Sequence, residues 1–97
     1  MQFTWDERKD RANRKKHGIS FETAALVFED PYHLSTRDRE VEGELRWQTI
    51  GTVQGKQIVL VAHTLSESVH EVNEEVVRII SARKATPQER SIYAQGI

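Results

Sequence analysis

Residues 76–93 read Val-Val-Arg-Ile-Ile-Ser-Ala-Arg-Lys-Ala-Thr-Pro-Gln-Glu-Arg-Ser-Ile-Tyr. The first half is rich in β-branched residues and alternates with the period of two expected of a strand. Strict alternation would put Val77, Ile79, Ser81 and Arg83 on one face, and Val76, Arg78, Ile80, Ala82 and Lys84 on the other. The pattern stops at Thr86-Pro87-Gln88-Glu89, which has the form of a capping box with proline at the first helical position. The stretch therefore predicts a strand that runs straight into a helix. Arg83 and Lys84 fall at the junction. Two cations beside the free backbone N–H groups of a helix start form a candidate anion site; the competing reading is a pair of solvated strand-end charges.

Upstream lie two further strand patterns, residues 45–51 and 57–64, joined by a turn at Gln54-Gly55. The second is apolar on both faces, as a central strand should be. Antiparallel pairing through that turn brings His63 and Arg46 to the same end of the sheet, and Arg78 arrives there after the acidic segment 67–75. Register decides which face each occupies. The alternative for His63 is a hydrogen-bonded histidine at a sheet margin.

At the N-terminal end, Phe3 and Trp5 suggest a short strand, expected beside the last one. Asp6 or Thr4 can cap a polar helix over residues 7–17, closed by Gly18 and anchored through Trp5, Ala12 and Ile19. Lys15, Lys16 and His17 occupy its last turn, where cations suit the helix dipole, and this is compatible with RNA contact by Lys16 and His17. Ser20 caps a second helix with an apolar face of Phe21, Ala24, Ala25 and Phe28, ended by Asp30-Pro31. Residues 32–36 read as a short edge strand, and residues 37–44 as an exposed charged loop around Gly43. The expected fold is α+β, with a mostly antiparallel sheet, two N-terminal helices and one C-terminal helix, the helices packed on one face.

Ninety-seven residues suffice for one domain, 1–97, with a modest core. There is no cysteine, so disulfides and thiolate metal sites are excluded. No apolar run reaches membrane-spanning length and residues 1–7 have no signal-peptide character, so a cytoplasmic protein without membrane contact is expected. No phosphate-binding glycine loop, zinc spacing or nucleophile elbow occurs, which removes most cofactor-dependent enzyme classes; neither metal nor cofactor is expected. The net charge is −1, but the distribution is uneven. Arg8, Lys9, Arg11, Arg14, Lys15 and Lys16 are opposed only by Asp10 within residues 8–16, whereas Glu67, Glu71, Glu74 and Glu75 lie in a segment without Lys or Arg. One region could face phosphate and the other a basic partner; the blander reading is solvated surface.

Several stretches together resemble one family: Phe3-Thr-Trp-Asp-Glu; Asn13-Arg-Lys-Lys-His-Gly-Ile-Ser-Phe-Glu-Thr-Ala; Asp30-Pro31; Gly43-Glu-Leu-Arg-Trp; Ile50-Gly51; His63-Thr64; and Arg78-Ile-Ile-Ser-Ala-Arg-Lys-Ala-Thr, followed by Glu89-Arg90 and Tyr93. The order and spread of these pieces resemble the BrnT family of bacterial toxins over nearly the whole chain. The resemblance implies a RelE-like fold, a ribonuclease that halts translation, and a cognate antitoxin with a ribbon-helix-helix DNA-binding part, the complex repressing its own operon. With a net charge of −1 and no DNA-reading motif in this chain, DNA binding is expected only indirectly, through the antitoxin.

Two functions follow for testing. The first is metal-independent RNA cleavage, in which the ribose 2′-OH attacks phosphorus and the protein supplies proton transfer and positive charge. Arg83 and Lys84 would stabilise the transition state, Arg78 and Arg46 bind phosphate, His63 act as acid or base, and Tyr93 stack on a base or donate a proton. Arg78 and Arg83 stand on the order of 16 Å apart at roughly 3.3 Å per residue, so which cluster is catalytic stays open. The second is a non-catalytic subunit that holds a DNA-binding partner.

Overall fold

Strand β1 (Gln2–Trp5) leads into helices α1 (Glu7–His17) and α2 (Phe21–Ala25), and α2 tightens into a 3₁₀ turn (Leu26–Glu29). Strands β2 (Leu34–Val41), β3 (Glu44–Val53), β4 (Gln57–Glu67) and β5 (Glu75–Lys84) follow, then helix α3 (Pro87–Ala94). The computed structural model describes residues 1–68 and 74–96; Glu71 of the acidic segment lies outside them. The five strands form one sheet in the order β1-β5-β4-β3-β2. All neighbours are antiparallel except β1, which lies parallel to β5, so the first strand does join beside the last. The fold class is α+β, as the sequence predicts.

Helix starts follow the caps. The Asp6 carboxylate accepts from the Arg8 and Lys9 N–H groups, the Ser20 hydroxyl accepts from the Thr23 N–H, and the box of Thr86 and Glu89 is complete in both directions. What holds α1 down differs from expectation. Ala12 is exposed, and the buried residues are polar: Asp10 and Asn13. The Asp10 carboxylate accepts from the Phe21 N–H at 2.8 Å. Asn13 donates to the carbonyls of Ile19 at 2.9 Å and Ala82 at 2.8 Å, and its own carbonyl accepts from the Ala82 N–H at 3.1 Å. Strand β1 ends opposite Ile79, so the Asn13 amide supplies Ala82 with the ladder bonds that β1 no longer reaches.

Residues 37–44 are not a loop. Strand β2 continues to Val41, and a two-residue turn at Glu42-Gly43, with φ of 52° and 79°, reverses the chain into β3. Two successive positive φ values are what a tight hairpin turn demands. The charges that suggest a loop instead line an edge strand, where they deter pairing with another chain.

The helices also divide between the two faces of the sheet. Ile19, Phe21, Ala24 and Val27 pack on Val53, Val59, Val61, Val77, Ile79 and Ala82. Ile50, Leu60 and Ala85 form a second, smaller cluster with Leu34, Ile58 and Tyr93 on the opposite face, beneath α3. Close contact between the 3₁₀ turn and β3 depends on Gly51, where a Cβ would sit 2.9 Å from Val27 Cγ1 and 3.0 Å from the Val27 carbonyl.

The alternation of β5 is broken by a bulge. Up to Ser81 the partners are Leu60↔Arg83, Val61↔Ala82 and Ala62↔Ser81; then His63 pairs with Ile79 and Thr64 with Arg78. One extra residue on β5 shifts its phase. Val77, Ile79 and Ala82 consequently share the helix-covered face, and Arg78, Ser81 and Arg83 share the other.

Gly51→Ala is expected to destabilise the fold by about 1–3 kcal/mol, the range for overpacking, and to lower the thermal midpoint by several degrees. A calorimetric scan of the purified variant against the parent checks this.

Candidate active site

The face opposite α1 and α2 is only partly covered. Its register gives one row Leu34, Ile50, Leu60, Arg83 and the next Thr36, Gln48, Ala62, Ser81; beyond the bulge Thr64 stands opposite Arg78. Helix α3 rests on the first row. The remainder is a polar floor with arginines at both ends.

At the α3 end, Arg83 makes two parallel bonds to Glu89, Nη1 to Oε1 at 2.8 Å and Nη2 to Oε2 at 3.0 Å. Glu89 also accepts from the Thr86 N–H at 2.8 Å. The Arg83 guanidinium, with help from Thr86, pulls the Glu89 carboxyl down to about 2, and Glu89 in turn pushes the Arg83 pKa upward. The junction thus positions a permanently charged guanidinium at the edge of the open face. Lys84 does not share it. Alternation turns Lys84 the other way, into a depression of about 420 Å³ bordered by Lys56, Gln57 and Arg90.

At the opposite end, Arg46 and Arg78 border a wide depression of about 580 Å³ together with Lys9, Asp6, Glu42 and Glu44. Arg78 is paired to Glu44 at 2.5 Å, with both side chains about half exposed. The Arg46 Nε is buried and has no hydrogen-bond partner among the described residues. A buried guanidinium donor left unused is costly. Lys9, Lys16 and His17 line a smaller hollow of about 250 Å³ that ends on the bulge residues Ile80 and Ser81. The basic side of α1 therefore borders the open face.

Two sequence-derived candidates stand elsewhere. His63 is 1% exposed and faces the helical layer, with Phe28 edge-on at 5.0 Å. Its Nδ1 donates to the Thr64 carbonyl at 3.2 Å, so its Nε2 accepts from the Thr49 hydroxyl at 2.6 Å. Burial lowers its pKa, and the ring sits neutral and satisfied, with the sheet between it and the arginines. This is the hydrogen-bonded histidine of the alternative reading. Tyr93 is similarly engaged: its hydroxyl accepts from Thr52 Oγ1 at 2.8 Å and donates to the Asp30 carboxylate. Burial raises the phenol's pKa and the bond to Asp30 raises it further. At Asp30 burial pushes upward, but bonds from Tyr93 and from the Thr52 and Tyr32 N–H groups outweigh it and leave the pKa lowered. Tyr93 thereby ties α3 to the sheet and has no spare proton to offer.

The sequence matches the family described as ribonuclease toxin, BrnT, of type II toxin–antitoxin systems over residues 5–89. The chain belongs to the BrnT family. Its fold is similar to the crystal structure of the Brucella abortus ribonuclease toxin BrnT, with a TM-score of 0.59 and 25% identity over 89% of this chain and 97% of that one. No protein of curated function matches the sequence. No helix among the described residues is long and apolar enough to cross a membrane.

Within this BrnT fold, Gln48 and Ser81 are additional residues of the open face that sequence reasoning passed over. Alternation alone places Ser81 beside Arg83; the bulge, which has no residue signature, is what parts both from Val77 and Ile79 and brings Arg78 to their face. Gln48 was readable as a strand residue but not as to its face.

The Arg83–Glu89 pair gives a pH signature. A carboxyl held at about 2 in the folded chain, against 4.5 normally, contributes stability that is full above pH ~4.5 and is lost as pH falls toward 2. Glu89→Gln should therefore cost about 1 kcal/mol at pH 7, as expected of a bidentate but partly exposed pair. The gap from the parent should narrow in thermal melts below pH ~4.5 and close as the pH approaches 2.

Proposed function

We propose that this chain is a metal-independent endoribonuclease acting at the open face of a RelE-like sheet, and that RNA cleavage there arrests translation. The observation that carries this reading is the β5 bulge, which gives Arg78, Ser81 and Arg83 a common face with Arg46. In 2′-OH attack the 2′-oxygen bonds to phosphorus as the bond to the 5′-oxygen breaks, the 2′ proton passes to solvent water and water returns one to the leaving oxygen, while the developing charge sits on the phosphoryl oxygens. Fixed guanidinium groups stabilise it without reorganisation, and Arg offers paired donors matched to phosphate geometry. Arg46 and Arg78 at one end of the floor and Arg83 at the other act on different phosphates of the RNA, one end holding the scissile phosphate and the other a neighbouring one; Lys16, His17 and Lys84 are flanking contacts for the RNA backbone. His63 and Tyr93 position the scaffold.

The kinetic expectation follows. Of Arg78→Ala and Arg83→Ala, the variant at the scissile phosphate should lower kcat by roughly 10²-fold, the scale of one lost oxyanion donor, and the other should mainly raise KM, with EDTA present throughout. Lys84→Ala should instead weaken RNA binding and spare kcat. His63→Ala should lower stability, and the parent's rate should show no limb near pH 6.5. A wild-type rate in folded Arg78→Ala and Arg83→Ala proteins would return the chain to the second reading, a non-catalytic subunit.

The proposed partner is a ribbon-helix-helix antitoxin that covers this face with an acidic segment. At a net charge of −1 the toxin has little long-range attraction for duplex DNA, so DNA binding belongs to the antitoxin. A gel-shift titration of the operon's promoter should show no specific band with toxin alone, and bands with antitoxin and with the complex. A specific toxin–DNA band would overturn this assignment.

A further inference from the structure

Beside Arg83, under the outer edge of α3, lies a cavity of about 260 Å³. Its floor and walls are Leu34, Ile50, Leu60 and Ile92, and its polar border is Thr36, Gln48 and Glu89. Ile50 and Leu60 are 8% exposed, whereas Ile92 is 49% exposed and stands open as one wall. Building on the ribonuclease reading above, we infer that this cavity is a pocket for one nucleobase of the RNA substrate.

The lining asks for that chemistry. Thr36 and Gln48 are cross-strand neighbours, and no hydrogen bond engages either side chain among the described residues. A Gln amide carries donor and acceptor side by side, the pattern that reads a base edge. A nucleobase has apolar faces for the aliphatic walls and a polar edge for the amide and hydroxyl. An aliphatic side chain from a protein partner would fit the walls but strip water from Gln48 and Thr36 without replacing it. The phosphate is provided for as well. Arg83 is the cross-strand neighbour of Leu60 on the pocket floor, and its guanidinium is held by Glu89 on the pocket border. A base in the pocket therefore sets its own phosphate against Arg83, so that the pocket decides which nucleotide is presented.

The test uses the four ribonucleoside 3′-monophosphates, titrated separately into isotope-labelled protein while the Gln48 side-chain amide and the Ile92 methyl groups are followed by NMR. One nucleotide should move both signals and bind at least ten-fold tighter than the weakest. Gln48→Leu should abolish that difference and, on an RNA of mixed sequence, relax the base preference read from product ends. Ile92→Gln, at a half-exposed position that the fold tolerates, should weaken all four. Unmoved Gln48 signals, equal binding of all four, or an unchanged cleavage preference in Gln48→Leu would overturn the pocket while leaving the nuclease reading intact. So would signals that respond only to the antitoxin, which would make the cavity a protein-docking groove. Base discrimination by a chain that cleaves no RNA would support the pocket and refute the nuclease reading.

Discussion

The amide of Asn13 is the constraint on which the arrangement rests. It meets both backbone groups of Ala82 and the carbonyl of Ile19 in a buried site. Strand β5 has lost its neighbour β1 at that point and has just passed its bulge. Without Asn13 a buried N–H and a buried C=O of the strand would go unpaired, at a cost of about 1–3 kcal/mol each. With it, an otherwise polar helix is fixed to the sheet, and the phase of β5 after the bulge is held. That phase puts Ala82 into the core and Arg83 outside it. One buried side chain thus links the docking of α1, the continuity of the core and the face on which the arginines meet.

The extent to which the chain reveals this in advance depends on the kind of physics involved. Local chemistry is legible: Asp6, Ser20 and the Thr86–Glu89 box mark helix starts because capping needs particular side chains at particular places. Strands β3, β4 and β5 are legible from period and β-branching. The family resemblance adds the order of the elements and the ribonuclease expectation. What is not legible is set by a non-local choice. The bulge near Ile80 is a property of pairing with β4, and strict alternation assigns Arg78 and Arg83 to opposite faces. Asn13 reads as solvated because its partner is 69 residues away. His63 is chosen by residue type, since imidazole suits acid–base work; only register shows that it faces Phe28 and Thr49 inside the core. The charged run in β2 reads as a loop because edge strands borrow the composition of loops.

The open face carries arginines without a large excess of positive charge: Lys9, Arg46 and Arg78 at one end meet Asp6, Glu42 and Glu44, and Arg83 at the other is paired to Glu89. Glu44 and Glu89 hold their arginines in place. Each pair restricts a long, flexible side chain, and for Arg83 the restriction is bidentate, with the carboxylate itself tied to the start of α3. In a preorganised site this is useful: a guanidinium already oriented loses less entropy when phosphate arrives. The basic side of α1 adds weaker, more mobile cations at the border, suited to steering rather than to orientation.

The same pairs bear on how such a face discriminates among anions. A phosphate that approaches Arg78 or Arg83 competes with a carboxylate already bonded there, so the net gain is the difference between two charge-assisted contacts and is small. Arg46 is different, because no carboxylate among the described residues is bonded to it, so a phosphate can meet its guanidinium without displacing one. An isolated phosphate reaching only an arginine that already holds a carboxylate therefore binds weakly. A ribonucleotide chain lying across the floor can engage Arg46 and the paired arginines together and add its base contacts. On the proposed nuclease reading, selectivity for a polymer over free phosphate would arise from spacing along the sheet, and the β5 bulge, which puts two arginines five positions apart onto one face, is what sets that spacing.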